Sequence, residues 1–311
     1  MMHSALAIGD RCGRETEPGK LGVCIRDLET EEELQPGDVV LLGLCNEQGV
    51  VANGGRPGAA QGPKAFRKAF FRLDAACLGP LRFWDAGDVP ADAPYQAFLD
   101  AASTTVSACV RRGALPIVVG GGHDCSYGNY LGLCDALGEA PAVIAVDAHL
   151  DMRPTHEPSS GNPFFRMLEH GLPGGQLVEV GLVPWVNAQR HRQYGEARGA
   201  QLHFLEPGLA WASVDQVEQA LGHFQSQGRR VLVTFDLDAF EAAHAPGVSA
   251  VNPWGLTADA GLAMAQIFGA CPAVACLDLM ELAPPLDPDG RTSRFAAFLV
   301  AAFLEARQRA K

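Results

Sequence analysis

Asp147, His149 and Asp151 occupy every second position in "AVIAVDAHLDMR" (residues 142–153), directly after a run of five apolar residues. Three further apolar runs end the same way. "LPIVVGGGHDCSYG" runs into His123, "VLVTFDLDAF" into Asp236 and Asp238, and "AVACLDLMEL" into Asp278 and Glu281. If the chain stays extended past Val146, alternation with period two places Asp147, His149 and Asp151 on one face, and the same holds for Asp236 and Asp238. Four carboxylates gathered with two imidazoles repel one another unless protons or cations intervene. Divalent cations are the natural neutraliser, and six ligands exceed what one ion needs when water must also bind. Two ions that share carboxylates, with a bridging hydroxide, leave the core at roughly −1, a charge that welcomes an amidinium or guanidinium group. An oxygen-rich shell with two imidazoles suits Mn²⁺ better than Zn²⁺.

Taken singly, each motif has a plainer explanation. D-x-H-x-D also occurs at surface strand ends, D-x-D caps helices, and a histidine after a strand is often a satisfied core residue. Their coincidence, each behind an apolar strand, is what argues for metal. Glu281, a charge near the end of its own strand, is read with them as functional.

The elements that must carry these residues alternate in kind. Short apolar runs (39–45, 82–84, 116–119, 142–146, 177–181, 231–235, 273–277) are separated by segments of helical period (63–73, 93–112, 126–137, 186–198, 214–227, 258–268, 293–309). That pattern predicts an α/β fold with a mostly parallel sheet covered on both faces. In such sheets ligands bind beyond the carboxyl ends of the strands, so the four charged strand ends are expected to converge on one site. Residues 1–36, which include "DLETEEELQPGD", read as a polar N-terminal lead-in, and 37–311 as a single catalytic domain.

With 36 acidic and 24 basic residues the net charge is −12, which argues against a nucleic-acid partner. An anionic substrate is still allowed, because one local arginine overrides a distant net charge. The N-terminal residues lack the basic and apolar regions of a signal peptide, and no apolar stretch is long enough to span a membrane. The nine cysteines are scattered without a C-x-x-C pair, as in a reduced, cytoplasmic protein that uses Cys as a small core residue.

"GGGH", "DAHLD" and "TFDLDAFEAAHAPG" resemble, in order and separation, the three metal-binding motifs of the ureohydrolase (arginase/agmatinase) family. The resemblance runs from about Asn53 to the C-terminus and includes "NGGRPGAAQGPKAFR", similar to the family's Gly-rich segment before a helix. It implies a three-layer α/β/α fold, arginase-like, on a mostly parallel eight-stranded sheet, with two Mn²⁺ per subunit. Carried over, His123, Asp147, Asp151 and Asp236 would hold one ion, and Asp147, His149, Asp236 and Asp238 the other. Glu281 matches the glutamate that anchors the substrate's cationic nitrogens, and Asp151 would pass a proton to the leaving nitrogen.

The departures discriminate among members. Arg153 stands where arginase-like sequences have an Asn. "SSGNPFFRML" keeps the Ser-Gly-Asn stretch, with Asn162 a candidate substrate contact, but places Phe164 or Phe165 where arginases carry a loop histidine. "VPWVN" lacks the carboxylate that would greet an α-ammonium group, and "GGGHD" replaces the Gly-Gly-Asp-His-Ser form. This combination is similar to the formimidoylglutamase branch, which cleaves N-formimidoyl-L-glutamate to L-glutamate and formamide. An arginine such as Arg153 can grip a substrate carboxylate bidentately, with Arg56 a second candidate. The partner expected is a small amidine or guanidine bearing carboxylates, without nucleic acid or membrane, and a homo-oligomer is compatible with the sequence. The alternatives are a guanidino-acid ureohydrolase releasing urea, a metal-dependent deacetylase, and a non-enzymatic nucleotide-binding module. The Gly-rich segments lack the Lys-Ser/Thr ending that the last would need.

Overall fold

Apolar runs with no alternation are the mark of strands buried on both faces, and β-strand 142–146, "AVIAV", is buried at every position. The computed structural model describes residues 17–79, 81–89 and 93–310. Its strands are β1 Arg26–Asp27, β2 Val39–Leu44, β3 Phe83–Val89, β4 Leu115–Val119, β5 Ala142–Val146, β6 Leu177–Leu182, β7 Gln201–Phe204, β8 Val231–Asp236 and β9 Val274–Met280. The helices are α1 Leu21–Cys24, α2 Gln48–Ala52, α3 Gly62–Phe70, α4 Tyr95–Arg111, α5 Ser126–Leu137, α6 Pro163–Glu169, α7 Gln189–Arg198, α8 Ala212–Ser226, α9 Ala258–Ala270 and α10 Arg291–Arg309.

One sheet holds all the strands, in the order β1-β3-β2-β4-β9-β8-β5-β6-β7, and every neighbouring pair is parallel. Helices α3, α8, α9 and α10 cover one face through Phe66, Phe70, Val217, Phe268, Leu299 and Phe303. Helices α4, α5 and α6 cover the other through Phe98, Tyr130, Leu133, Phe164 and Met167. The result is the expected three-layer α/β/α arrangement. Local signals agree with it: Pro63 opens α3, Thr257 caps α9 by accepting from the Ala260 amide, and Gly138 ends α5 at φ 71°.

Among the described residues the sheet has nine strands, one more than the eight expected. β1 and β7 have no apolar signature because both are sheet edges: β1 is two residues long, and β7 is exposed or half-buried throughout. The short helix α6 was likewise not anticipated. β3 runs on to Val89, well past the apolar stretch that announces it. Its Asp85 and Asp88 are buried because Arg67 on α3 meets them, forking onto Asp85 at 2.8 and 2.9 Å and pairing with Asp88. Within the polar lead-in, residues 1–16 lie outside the described part, while Leu21, Ile25, Leu28 and Leu34 are buried against the sheet. No helix among the described residues is long and apolar enough to cross a membrane.

Strand order decides where the chemistry goes. The chain leaves β4, crosses to β5, builds outward through β6 and β7, and returns to insert β8 and β9 between β5 and β4. β4, β9, β8 and β5 therefore lie side by side, and all four end on the same edge of the sheet.

Candidate metal centre

Each of these four strands delivers one charged segment. His123 follows β4, Asp147, His149 and Asp151 follow β5, Asp236 and Asp238 close β8, and Glu281 follows β9. The triple glycine before His123 has a steric reason: a Cβ on Gly121 would lie 1.5 Å from the Asn46 carbonyl oxygen. This close approach lets the Gly122 amide donate to Asn46 O and the Glu281 amide to Gly121 O, at 3.0 and 2.9 Å, locking the ends of β2, β4 and β9 together.

Ligand atoms of His123, Asp147, Asp151 and Asp236 lie within 4.8 Å of one another, as do those of Asp147, His149 and Asp238. His123 Nδ1 is 2.9 Å from Asp147 Oδ2, 3.1 Å from Asp151 Oδ2 and 3.2 Å from Asp236 Oδ2. His149 Nδ1 is 3.1 Å from Asp238 Oδ2 and 3.7 Å from Asp147 Oδ1. Asp147 belongs to both groups, as a carboxylate shared by two ions must. The other oxygens are fixed by the backbone: the His149 amide donates to Asp147 Oδ1 at 2.6 Å and the Asp238 amide to Asp236 Oδ1 at 2.8 Å.

The electrostatics ask for cations. Burial, then Asp151 and Asp236, push the Asp147 carboxyl well above the ordinary range. Burial and Asp236 push Asp238 up to about 7. Burial works against a charged His123, but hydrogen bonds to Asp147, Asp151 and Asp236 prevail and hold it well above the ordinary imidazole range. His149 likewise rises to about 11, with Asp238 overcoming burial. Protons thus neutralise the cluster in the absence of metal. Asp238 Oδ1 is buried yet accepts no hydrogen bond, and Asp147 Oδ2 faces only the His123 imidazole at 2.9 Å, which leaves both oxygens open to a cation. Two non-glycine residues adopt left-handed backbone here, Asp151 at φ 41° and Glu281 at φ 68°. Strain of this kind is retained where the surroundings over-determine a functional geometry.

A cavity of about 560 Å³ opens onto the cluster, lined by His149, Asp151, Asp236, Asp238 and Glu281 on one side. Asn53, Arg56, Arg153, Ser160, Gly161 and Arg190 are among the residues of its other walls. Glu281 Oε1 accepts from the His123 amide at 3.0 Å. Its carboxyl is held well above the ordinary range by burial first, then by Asp236 and Asp238.

Arg153 lies on the cavity wall, with its Nε packed against Gly161 and no hydrogen bond from its guanidinium to the described residues. Arg56 also lines the cavity, but its Nε and Nη2 donate to the carbonyls of Ser249 and Val248 at 3.0 and 2.8 Å. Asn162 does not reach the cavity. It is fully buried, and its Nδ2 donates to Thr155 O and Glu157 O at 2.7 and 2.9 Å. In this fold Asn162 holds the loop that brings Ser160 and Gly161 to the wall.

Other residues emerge only in three dimensions. His123 Nε2 lies 3.0 Å from Thr234 Oγ1, and Thr234 in turn bonds the buried Asp278, which also accepts from Asn129 at 2.8 Å. With Nδ1 turned to the carboxylates, Nε2 faces the Thr234 hydroxyl, which fixes the ring's orientation. Asn187 ties the loop after β6 to the one after β5: it accepts from the Leu150 amide at 2.7 Å and donates to Ala148 O at 2.8 Å. Arg190 and His191, on the first turn of α7, complete the cavity wall. None of these carries a local sequence signal, because each acts through a neighbour distant in the chain.

The comparisons with known proteins agree with this geometry. The sequence pattern of the arginase family matches residues 37–305. A formimidoylglutamase of Rhodococcus jostii (strain RHA1) is 35% identical over 273 residues, covering 86% of this chain and 85% of the relative. One of Geobacillus thermodenitrificans (strain NG80-2) is 31% identical over 291 residues, 91% of this chain and 90% of the relative. The crystal structure of Trypanosoma cruzi formiminoglutamase with Mn²⁺ superposes with a TM-score of 0.82 at 31% identity, covering 90% of this chain and 95% of that one. Motif order, sheet topology and the length of the match lead to one conclusion: this chain belongs to the arginase family.

Proposed function

We propose that the protein is a manganese-dependent hydrolase of linear amidines that cleaves N-formimidoyl-L-glutamate to L-glutamate and formamide. The observation that carries this reading is the pairing of Glu281 and Arg153 across one cavity, with an anion for the amidinium and an unengaged guanidinium for a carboxylate. Similarity to formimidoylglutamases over most of the chain supports it. The donor set fits two Mn²⁺: six oxygen- and nitrogen-donor side chains, two of them imidazoles, with a buried carboxylate oxygen, Asp238 Oδ1, that nothing in the described fold satisfies. His123, Asp147, Asp151 and Asp236 would hold one ion, and Asp147, His149 and Asp238, with Asp236 at hand from the first group, would hold the other. When bound, the pair supplies Lewis acidity and an activated water at neutral pH.

The chain's own residues do the rest. Glu281, kept from ionising freely by burial and its acidic neighbours, takes up the cationic amidinium in place of a proton and orients its carbon over the cluster. Arg153 grips one carboxylate bidentately. Asp151, on the cavity wall beside His123, carries the proton to the departing nitrogen of glutamate. One water is consumed; the bond between the amidine carbon and the glutamate nitrogen breaks, and formamide leaves. Phe164 is buried edge-on to the His123 ring, 5.2 Å between centroids, and so packs beside the site without taking part in proton transfer.

The test is hydrolysis of formimidoylglutamate, arginine, agmatine and guanidinobutyrate with added Mn²⁺, scoring formamide, urea and ammonia. Formamide from formimidoylglutamate is expected. Urea from a guanidino substrate, with no formimidoylglutamate turnover, overturns the assignment.

A further inference from the structure

A substrate with two carboxylates needs two cationic partners, and Arg153 supplies one. The remaining cations on the cavity wall are Arg56, Arg190 and His191. Arg56 is held by two backbone carbonyls. Burial, then Arg190 and Arg153, push the His191 imidazole below its ordinary range, so it is neutral at pH 7. Arg190 remains. Its one side-chain hydrogen bond among the described residues runs from Nε to His191 Nε2 at 3.3 Å, and no carboxylate there neutralises it. Apart from the metal-cluster aspartates and Glu281, no acidic residue lines the cavity, so the anionic end of a substrate has only this wall to turn to. Arg190 sits on the first turn of the ten-residue helix α7, whose N-cap Ala188 also lines the cavity. Unpaired amides and the positive end of the helix dipole add to the guanidinium there.

We propose that Arg190 grips the second carboxylate of the substrate while Arg153 takes the first, so that the two arginines together select a dicarboxylic amidine. The inference rests on the function proposed above. It gives the segment after β6 a definite role, since the loop "VPWVN" offers no carboxylate to the cavity and the helix that follows offers a guanidinium. His191 positions the clamp by accepting from Arg190 Nε, which leaves the Nη atoms to face the cavity.

The experiment compares wild type, Arg190→Gln and Arg190→Lys, all loaded with Mn²⁺, on three substrates. These are N-formimidoyl-L-glutamate, N-formimidoyl-4-aminobutyrate with only the distal carboxylate, and N-formimidoyl-L-norvaline with only the α-carboxylate. Arg190 is exposed, so both variants are expected to keep the wild-type melting temperature and manganese content. Losing a charge-assisted contact should lower kcat/KM of Arg190→Gln on formimidoylglutamate by about 10- to 100-fold, mostly through KM. The same loss is expected on the one analogue that keeps the carboxylate Arg190 holds, while the other stays within about twofold and Arg190→Lys recovers part of the loss. Equal losses on all three substrates, or none, overturn the assignment to Arg190 and leave the function standing. Absence of formamide from wild type overturns the function and this clamp with it.

Discussion

Removing the metal ions and titrating them back at several pH values tests the centre directly. In the metal-free fold, the cluster carries protons that the unfolded chain lacks at the same pH. His149, raised to about 11, contributes stability that is complete below the unfolded value of 6.5 and is lost as pH rises toward 11. His123 behaves in the same sense. Asp238, raised to about 7, is protonated in the fold and ionised in the unfolded chain between 3.8 and about 7, so it too makes the metal-free fold weaker as pH rises through that window. Bound Mn²⁺ takes the place of these protons, so the metal-loaded fold escapes the decline and the gap between the two forms widens with pH.

The size of the effect follows from the proton count. Each displaced proton is worth about 1.4 kcal/mol per pH unit, so His149 alone makes the Mn²⁺-dependent stabilisation grow by about 1.4 kcal/mol per unit between pH 7 and 8.5, and His123 acts in the same direction. Below pH 7 Asp238 adds a further proton. With an unfolding entropy of about 2.1 cal/mol/K per residue, a chain of 311 residues gains at least roughly 2 °C in Tm difference per pH unit. Melting curves of chelator-treated protein with and without Mn²⁺ from pH 6 to 8.5 read this directly. Calorimetry in buffers of different ionisation enthalpy should show at least about one proton released on filling both sites near pH 8. A melting-temperature gap that is constant or narrows as pH rises would refute the reasoning.

Three substitutions separate the roles inside the site. Asp236→Ala should abolish both Mn²⁺ stabilisation and turnover; a metal-saturated variant that still hydrolyses substrate contradicts the ligand assignment. Glu281→Gln should keep Mn²⁺ stabilisation but lose roughly 10²-fold or more in kcat/KM, because the amidinium loses its anchor. Thr234→Val removes the hydroxyl between His123 Nε2 and Asp278, and Mn²⁺ affinity measured by calorimetry should fall about 10- to 100-fold. An unchanged affinity would assign Thr234 to packing alone.

The metal cluster was legible because its signal is local. Asp147, His149 and Asp151 share one strand end, Asp236 and Asp238 another, and each pattern is visible within a few residues of an apolar run. Sheet order was legible only through resemblance, since nothing in residues 231–236 or 274–280 announces that β8 and β9 insert between β5 and β4. Thr234 and Asp278 illustrate the limit most plainly. Both sit in strands next to functional residues, yet their role depends on β8 and β9 pairing in register, with Thr234 opposite Asp278. For Asn162, a Ser-Gly-Asn stretch suggested a substrate contact, and only the fold shows that its Nδ2 donates to two carbonyls of its own loop.

The loop after β6 carries the same reasoning to specificity. In sequence, "VPWVNAQRH" was notable only for an absent carboxylate, which speaks against an α-ammonium group without naming what replaces it. The fold supplies the replacement by starting α7 at Gln189, which directs Arg190 to the same cavity as Arg153, 37 positions away in the chain. Glu281, Asp151, Asp236 and Asp238 line the same cavity, so it is divided into a cation-accepting floor and an anion-accepting wall. A guanidino substrate with an α-ammonium group would bring a second positive charge to that wall. An amidine with two carboxylates would meet complementary charge at both ends of such a cavity, so the proposed choice of substrate rests on this division of charge more than on the metal ligands.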